Sequence, residues 1–382
     1  MYDNTGFLGN QRLSRRTRSF LKSFSISFMS TVVVLVVGVL IWGRLVSPPE
    51  QGVVVAAPVT TEPVVDNEGF LIVHTTHANR DDDYDDYTPP TYNAPSWAED
   101  RREYFWTFLI IGLNEGTNAN TIMVASYCGV TREANLISIP RDIPVNPNRN
   151  GRKFSSSYII GAGQGRGIAG GVRQMQNDVR TVVGFIPDFY VVIDYDAFFS
   201  IIDAVGGIYI DVPIRMRYDD PFQNLRIDIH PGYQHMDAAT ALDFARFRQA
   251  NRGSGFPDLP EGDIGRVRNQ QAVINAVITR LLRPENLNPV KINEFIGIFN
   301  DSVHTNLTLT DMMFFANELN HIRRTDTMTD ALSSYTFAAH PGMSNGVSYM
   351  FLTPSNVVEL LNRTVNPFDH ALSASDLRII RP

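Results

Sequence analysis

Residues 105–113 read FWTFLIIGL, and residues 120–128 read NTIMVASYC. Both stretches are rich in β-branched, aromatic and other apolar side chains over a strand's length, which is typical of buried β-strands. A third apolar run, EANLIS, is followed within two residues by a proline, Pro140. Three such runs separated by polar loops predict a buried sheet that begins after Tyr104.

Helical and strand-like patterns alternate beyond this point. The run GVRQMQNDVRTVVG places apolar side chains on one side of a helix, at Val172, Met175, Val179 and Val182. Strand-like PDFYVVID and IYIDVP flank a short helix, AFFSIIDAVGG, whose final glycine pair suits a left-handed cap. The alternation predicts an α/β fold, a three-layer sandwich with a central, mainly buried sheet and helices on both faces. Further helices are expected at residues 271–282, 309–320 and 355–363.

Five arginines fall within residues 242–271, LDFARFRQANRGSGFPDLPEGDIGRVRNQQ. If residues 244–248 are extended, Arg246 and Arg248 project from one face. If a helix opens near Asp263, then Asp263, Arg266 and Gln270 share one side near its start, where anions are favoured. Guanidinium forks suit phosphate or pyrophosphate oxygens, so an anion site is predicted. The alternative is that Asp263 only caps the helix and the arginines form surface ion pairs.

The N-terminal region predicts a membrane anchor. Residues 24–42, FSISFMSTVVVLVVGVLIW, contain no charge and have about the length that crosses a bilayer. Five basic residues precede this run, which places residues 1–23 in the cytoplasm as a basic tail, residues 24–46 in the membrane, and the remainder outside the cell membrane. The alternative is a cleaved signal peptide. A nucleic-acid-binding role for the basic tail is not favoured, because a membrane span follows it directly.

Residues 47–102 read as an extended linker, since they combine proline-rich segments with the acidic run DDDYDD and lack apolar periodicity. A folded domain is predicted over residues 103–370, with a C-terminal tail at residues 371–382. Within the folded domain, the glycine-rich segment GAGQGRGIAGG at residues 161–171 is interpreted as a turn into a helix rather than a nucleotide site. Scattered histidines argue against zinc or serine-hydrolase chemistry.

Several motifs occur in a fixed order after the apolar run: SIPRD at residues 138–142, a lysine and FSSSY at 153–158, IDVP at 210–213, GYQHMDAATALDFARFR at 232–248, and DIGRVRNQQ at 263–271. This order resembles the LytR-CpsA-Psr family over roughly residues 104–369. The resemblance implies a membrane-anchored phosphotransferase with an α/β fold. It would transfer a glycopolymer from a polyprenyl-pyrophosphate carrier onto peptidoglycan, with Mg²⁺ at the pyrophosphate.

The resemblance also assigns roles by position. Arg141 corresponds to the family's pyrophosphate-binding arginine, with Lys153 as its supporting basic residue. Arg246 and Arg248 match an R-x-R pair, and Asp263, Arg266 and Gln270 match a set on the long helix. Where the family has a further arginine before that glutamine, this chain has Asn269, with Arg268 one position earlier.

The expected metal ligands differ from the family pattern. Two aspartates of the first loop correspond here to Asn114 and Asn120, which offer oxygen without charge. Two possibilities follow. In the first, Mg²⁺ arrives with the pyrophosphate and uses Asp142 or Glu115 as a ligand. In the second, the protein binds the lipid but catalyses the transfer poorly. The second possibility makes a binding or scaffold protein for lipid-linked polymer or cell-wall glycan the alternative function.

Overall fold

The computed structural model describes residues 48–49, 100–114, 118–146, 152–163, 165–223, 225–260, 262–283, 285–286, 288–322 and 332–381. All of them belong to one compact unit, Pro48–Pro382. The strands are β1 (Phe105–Asn114), β2 (Asn118–Cys128), β3 (Glu133–Ser138), β4 (Phe189–Ile193), β5 (Ile208–Val212), β6 (Met216–Asp220), β7 (Leu225–Ile229), β8 (Gly232–Met236), β9 (His304–Thr305), β10 (Leu332–Thr336), β11 (Ala339–Ser344) and β12 (Val347–Leu352). The helices are α1 (Ser157–Ala162), α2 (Gly167–Val183), α3 (Tyr195–Ala204), α4 (Ala238–Arg246), α5 (Asp263–Leu281), α6 (Pro289–Ser302), α7 (Leu309–Ile322) and α8 (Pro354–Thr364).

A six-stranded mixed sheet lies at the centre, in the order β10-β3-β2-β1-β4-β9. Strands β1, β2 and β3 are antiparallel neighbours, whereas β4 runs parallel to β1 and β10 runs parallel to β3. The pairing of β1 with β2 shifts register between Gly112 and Leu113, close to the end of β1. The predicted α/β class with a central sheet and helices is confirmed.

Side chains alternate along β1 and contact helices on both faces of the sheet. Leu109 and Ile111 are fully buried in a cluster with residues of α1, α2 and α8. On the opposite face, the ring of Phe108 lies 5.1 Å from that of Phe315 in α7. The sheet is therefore covered by α1, α2 and α8 on one side and by α5, α6 and α7 on the other.

A second hydrophobic cluster lies beyond the carboxyl ends of β1 and β4. It contains Ile202 of α3, Phe244 of α4 and Val273 of α5, together with the β5–β8 and β6–β7 ribbons. The sequence patterns do not predict these ribbons as pairs, and helix α6 is also missing from the expectations. The two clusters enclose the candidate site described below.

The prediction that residues 244–248 are extended is wrong for residues 244–246, which are helical. Asp237 caps α4 by accepting a hydrogen bond from the backbone N–H of Thr240 at 2.8 Å, and the helix continues through Arg246. Only at Phe247 does the backbone become extended, with φ −59° and ψ 133°. The alanine-rich sequence after the cap favours the helix over a strand.

The predicted helix at Asp263 is confirmed as the start of α5. Gly265, Asn269, Gln271 and Val273 of α5 are buried, whereas Ile264 is 36% exposed. Two of these buried side chains bind backbone groups: Asn269 donates to Phe244 O at 3.0 Å, and Gln271 donates to Tyr335 O at 2.7 Å. These bonds attach α5 to α4 and to the edge strand β10.

The glycine-rich segment at residues 161–171 joins α1 to α2, as the interpretation of a turn requires. A Cβ atom on Gly161 or on Gly170 would overlap the carbonyl oxygen of the other glycine, so both positions need the smallest side chain. The two helices can therefore approach closely behind the sheet.

Residues beyond the predicted domain limits also contribute to the unit. Arg101 pairs with the buried Asp188 at 2.7 Å, and Leu372 and Leu377 are buried in the first cluster. The predicted basic tail at residues 1–23 and anchor at residues 24–46 lie outside the described residues, as do most of the linker and Glu115. Within the described part, none of the helices is long and apolar enough to cross a membrane.

Candidate functional site

A cavity of about 800 Å³ opens at the carboxyl ends of β1 and β4. Gly112 and Asn114 line it from β1, Ile193 lines it from β4, and Asp194 lines it directly after β4. The ends of adjacent parallel strands are a common place for ligands in sheets of this class. Seven of the predicted site residues line this cavity: Asn114, Asn120, Arg141, Arg246, Arg248, Arg266 and Gln270.

Four arginines from separate parts of the chain line the cavity. They are Arg141, Arg246, Arg248 and Arg266. Arg141 follows β3, Arg246 ends α4, and Arg266 lies in the first turn of α5. The extended backbone at Phe247, whose side chain is buried, lets Arg248 line the same cavity as Arg246. Gln270, one turn after Arg266, also belongs to the wall.

Asp263 orients the arginines of the α5 side. Its carboxylate lies 2.6 Å from Arg266 Nη2 and 3.9 Å from Arg248 Nε. Asp263 is the first residue of the helix, which follows Gly262 at φ 57°. The ion pair is the arrangement that an aspartate three residues before an arginine favours on a helix.

Burial lowers the pKa of Arg266 from its usual value, and Arg141 and Arg248 lower it further, while Asp263 opposes the shift. An arginine remains protonated at neutral pH even when its pKa falls moderately. The shift of this pKa therefore reflects burial first, and the positive charges of Arg141 and Arg248 second. A bound anion would offset these positive charges.

A second chain of contacts supports Arg141. Its Nη1 donates to Asn120 Oδ1 at 2.5 Å, and its Nε lies 3.8 Å from Asp142. Lys153 binds Asp142 at 2.8 Å. Neither Lys153 nor Asp142 is part of the described cavity wall; Asp142 contacts Arg141, and Lys153 contacts Asp142.

The described residues of the cavity wall do not fit a Mg²⁺ site. Asn114 Oδ1 accepts the backbone N–H of Asn118 at 2.8 Å, and Asn120 Oδ1 is bound by Arg141. Among the described lining residues, Asp194 is the one carboxylate, and it caps α3 by accepting from Ala197 N. No group of three or more His, Cys, Asp or Glu side chains in the described ranges could hold a metal ion.

Arg268, like Asp142, Lys153 and Asp263, is a predicted site residue that lies outside the described cavity wall. Its side chain is exposed and is absent from the described wall, whereas the adjacent Asn269 is buried against α4. The helical turn rotates position 268 away from the face that carries Arg266 and Gln270.

Several lining residues were not predicted from the sequence. Tyr195 lies beneath Arg246, with the guanidinium carbon 5.6 Å from the ring centre. The β6–β7 hairpin contributes Tyr218, Phe222, Leu225 and Ile227. Asp194 and Tyr195 follow directly after a predicted strand, and this position is the signal that could have identified them.

An apolar cavity of about 370 Å³ adjoins the arginine cavity. It lies between the sheet and helices α5, α6 and α7, and its wall includes Phe108, Ile278, Phe295 and Phe315. Ile110 and Ile274 line both cavities. A charged cavity and an apolar cavity with a common wall suit a ligand that has an anionic head and a hydrocarbon tail.

Curated relatives match a large part of the chain. It is 26% identical over 259 residues to the polyisoprenyl-teichoic acid–peptidoglycan teichoic acid transferase TagV of Bacillus subtilis, covering 65% of this chain and 61% of that protein. It is 26% identical over 206 residues to the regulatory protein MsrR of Staphylococcus aureus, covering 53% of this chain and 56% of that protein. The chain thus spans about three fifths of the length of these relatives.

Solved structures share the fold. The crystal structure of Bacillus subtilis TagV matches with a TM-score of 0.53 and 20% identity, covering 68% of this chain and 95% of that chain. A LytR-Csp2A-Psr enzyme from Actinomyces oris matches with a TM-score of 0.53 and 20% identity, covering 71% and 91%. TagT bound to LIIa-WTA matches with a TM-score of 0.52 and 17% identity, covering 70% and 92%.

The model of the LytR_cpsA_psr family matches residues 94–366, which include the sheet, both cavities and all four lining arginines. This match covers well over half of the 382 residues. The chain therefore belongs to the LytR-CpsA-Psr family.

Proposed function

We propose that this protein is a membrane-anchored transferase that moves a glycopolymer from a polyprenyl-pyrophosphate carrier onto peptidoglycan by phosphoryl transfer. The observation that carries the proposal is that the two cavities are adjacent and share Ile110 and Ile274 as lining residues. The four arginines in one cavity match a pyrophosphate. The other, apolar cavity matches the isoprenoid tail.

The arginines would supply most of the catalysis. A hydroxyl oxygen of the wall acceptor attacks the phosphorus next to the sugar, the bond from that phosphorus to the bridging oxygen breaks, and polyprenyl phosphate leaves. Arg141, Arg246, Arg248 and Arg266 neutralise the charge on the phosphoryl oxygens during this displacement. Gln270 orients the pyrophosphate from the same wall, and the hydroxyl proton passes to solvent.

Asp263 is a positioning residue in this mechanism. It already binds Arg266 at 2.6 Å, so its carboxylate serves to fix the guanidinium group rather than to accept a proton. Lys153 and Asp142 act in the same way on Arg141. No step is assigned to Mg²⁺, because the side chains at Asn114 and Asn120 do not supply charged ligands.

The proposed location follows from the charge pattern of the N-terminal region. Residues 24–46 anchor the protein as a single span, residues 1–23 stay in the cytoplasm, and the folded domain faces the cell wall. The uncharged apolar run with basic residues before it supports this orientation. Digestion of the folded domain by a protease added to intact cells with a permeable wall would test it.

Binding of geranylgeranyl pyrophosphate to the full chain in detergent, with and without Mg²⁺, tests the proposal most directly. We expect wild type to bind and Arg246→Ala to lose at least about tenfold in affinity. Arg252→Ala is the matched control, because Arg252 lies in the same arginine-rich stretch but is exposed and outside the described cavity wall. Equal losses in both variants, or no binding by wild type, would overturn the assignment.

A second candidate function is a binding protein that retains lipid-linked polymer without transferring it. The amide side chains at Asn114 and Asn120 favour this candidate, since both already accept hydrogen bonds within the protein. The test is the double variant Asn114→Asp with Asn120→Asp, assayed for Mg²⁺-dependent transfer, with Asn118→Asp as control on the same turn. Transfer gained only by the double variant favours a metal-limited enzyme; tight lipid binding without transfer in any form favours the binding protein.

A further inference from the structure

Two tyrosines form an exposed stacked pair on the β5–β8 ribbon. Tyr209 is 39% exposed and Tyr233 is 71% exposed. Their ring centres lie 5.7 Å apart with an interplanar angle of 20°. They are diagonal neighbours on the outer face, because Tyr209 pairs with His235 and Asp211 pairs with Tyr233. Neither tyrosine belongs to the wall of the arginine cavity.

Two arginines at and just after the end of helix α5 lie over the ring of Tyr209. The guanidinium carbons of Arg280 and Arg283 lie 5.8 Å and 5.9 Å from its ring centre. Arg280 is itself fixed, since it donates to Val205 O at 3.0 Å and to Gly207 O at 3.1 Å. Tyr209 therefore has little freedom, and it supports Tyr233 in a defined orientation.

Tyr233 leaves most of its ring to solvent. An exposed aromatic ring with a fixed orientation offers a large contact surface at a low entropic cost of ordering. The negative face of such a ring attracts polarised C–H bonds, which line one side of a pyranose sugar. Two hydrogen-bonding side chains flank the ring pair on the same face, Asp211 beside Tyr233 and His235 beside Tyr209.

The charges around the pair are balanced, which favours an uncharged ligand. Arg283 lies 3.8 Å from Glu285, and Arg280 is bound to backbone carbonyls at the end of α3. Asp211 adds a carboxylate on the open side. A neutral sugar, whose hydroxyl groups both donate and accept hydrogen bonds, matches this mixture better than a phosphate or a lipid does.

We propose that Tyr209 and Tyr233 form a glycan-binding platform that stacks against a neutral sugar ring of a polysaccharide chain. This site is separate from the arginine cavity and does not depend on the transfer reaction. Helix α5 connects the two sites: Arg266 lies at its start and Arg280 at its end, fourteen positions later, which is about 21 Å along a helix. Here the inference rests on the proposed function: a polysaccharide chain attached at the arginine cavity and bound at the platform would have a raised effective concentration at each site.

Binding of a β-1,4-linked N-acetylglucosamine hexamer to the full chain in detergent, measured by calorimetry, tests the platform. We expect Tyr233→Ala to lower the affinity by about tenfold or more, and Tyr233→Phe to retain it, because the phenyl ring keeps the stacking face. Met343→Ala is the control, since Met343 is 65% exposed on the distant-in-sequence β11–β12 hairpin.

The same samples separate this proposal from the proposed function. Tyr233→Ala should bind geranylgeranyl pyrophosphate as wild type does, whereas Arg246→Ala should lose the pyrophosphate ligand and keep the hexamer. The platform is refuted if wild type does not bind the hexamer, or if Tyr233→Ala binds it with unchanged affinity. A loss in Tyr233→Ala that Tyr233→Phe shares would also refute stacking as the cause.

Discussion

Arg266 shows how one residue of the site depends on its neighbours. Its side chain is only 12% accessible, and its Nη2 lies 2.6 Å from Asp263. Burial lowers its pKa, and the charges of Arg141 and Arg248 lower it further. Partial burial strengthens the attraction of the carboxylate as well as the repulsion of the arginines. Arg266 is thus oriented before a ligand arrives, which reduces the reorganisation needed on binding.

Replacing Asp263 with asparagine tests its positioning role. Asp263→Asn should weaken binding of geranylgeranyl pyrophosphate several-fold, because Arg266 loses its partner, while the pH profile of transfer keeps its shape. Binding is measured by calorimetry, and transfer by incorporation of labelled polymer into peptidoglycan. Unchanged binding with a collapsed rate and an altered pH profile would instead identify Asp263 as a proton acceptor.

At the residue scale, the sequence predicts which arginines meet but misjudges how they meet. Arg246 and Arg248 line one cavity, as alternation along a strand would require, yet Arg246 ends a helix and the extended backbone begins at Phe247. Arg268 was predicted to contact the ligand because it is charged and close in sequence to Arg266. The helical rotation of α5 instead places it outside the described cavity wall. Local spacing cannot reveal contacts such as Tyr195 beneath Arg246, because they depend on tertiary packing.

At the scale of elements, helices α1 and α2 meet through Gly161 and Gly170. Gly161→Ala and Gly170→Ala should each destabilise the protein by about 1–3 kcal/mol, because the new methyl group overlaps a carbonyl of the facing glycine. Thermal unfolding of the full chain in detergent measures the effect. Gly163→Ala is the matched control, as its nearest atom would lie at 3.4 Å and its φ is −63°. A similar loss in the control would show that a methyl group at any glycine of this segment destabilises the protein, so the close approach of Gly161 and Gly170 would not be the cause.

Helix α4, which ends at Arg246, depends on its cap. The backbone N–H of Thr240 lowers the pKa of Asp237, so the charged form is favoured in the folded state. A carboxylate whose folded pKa is depressed stabilises fully above its unfolded pKa, and the contribution disappears as pH falls through the folded pKa. Asp237→Ala should therefore cost about 1 kcal/mol at pH 7.

The variant Asp237→Asn distinguishes the contribution of the charge from that of the hydrogen bond, because asparagine keeps an acceptor oxygen but carries no charge. Its difference in unfolding free energy from wild type should be present at neutral pH and vanish at pH values well below about 4. Denaturant unfolding at several pH values measures this difference. A difference that stays constant into acid would mean that the charge of Asp237 has no part in capping α4.

The long elements were predictable and the short ones were not. Strands β1 and β2 and helices α2 and α5 have strong apolar periodicity that tertiary contacts reinforce. The β6–β7 hairpin reads MRYDDPFQNLRIDI, where charged side chains alternate with apolar ones in two strands of only five residues each. Helix α6 is amphipathic, but its sequence carries few of the strong helix formers, so its propensity signal is weak.

At the scale of the whole molecule, the proposed ligand lies between two hydrophobic clusters. The first surrounds the sheet, and the second joins α3, α4, α5 and the ribbons. A ligand that fills both cavities should raise the unfolding temperature of the full chain in proportion to the logarithm of its concentration. Geranylgeranyl pyrophosphate should raise it more than inorganic pyrophosphate does, because only the former fills the apolar cavity.

The pyrophosphate head contributes separately to this shift, and Arg246→Ala isolates it. The shift should be strongly reduced in Arg246→Ala and retained in Arg252→Ala, as measured by thermal unfolding at several ligand concentrations. Equal shifts with inorganic pyrophosphate and the lipid would show that the apolar cavity does not accommodate the tail.

Strand order is the part of the whole fold that no local pattern predicts. β10 pairs with β3 across nearly two hundred positions of sequence, and β4 joins β1 only after α1 and α2 have crossed the sheet. The alternation of strands and helices in the sequence predicts the α/β class. The pairing of distant strands depends instead on how whole faces of the sheet are buried by the helices. The apolar cavity is a product of such packing and could not be predicted from the runs that line it.

The common wall formed by Ile110 and Ile274 also bears on how a catalytic cycle would end. Once the polymer has been transferred, the spent carrier still has a phosphate near the arginines and a tail in the apolar cavity. It would therefore compete with the next loaded carrier for the same space. Product inhibition by polyprenyl phosphate would then limit turnover, and the rate in a membrane would depend on how fast other proteins remove the spent carrier.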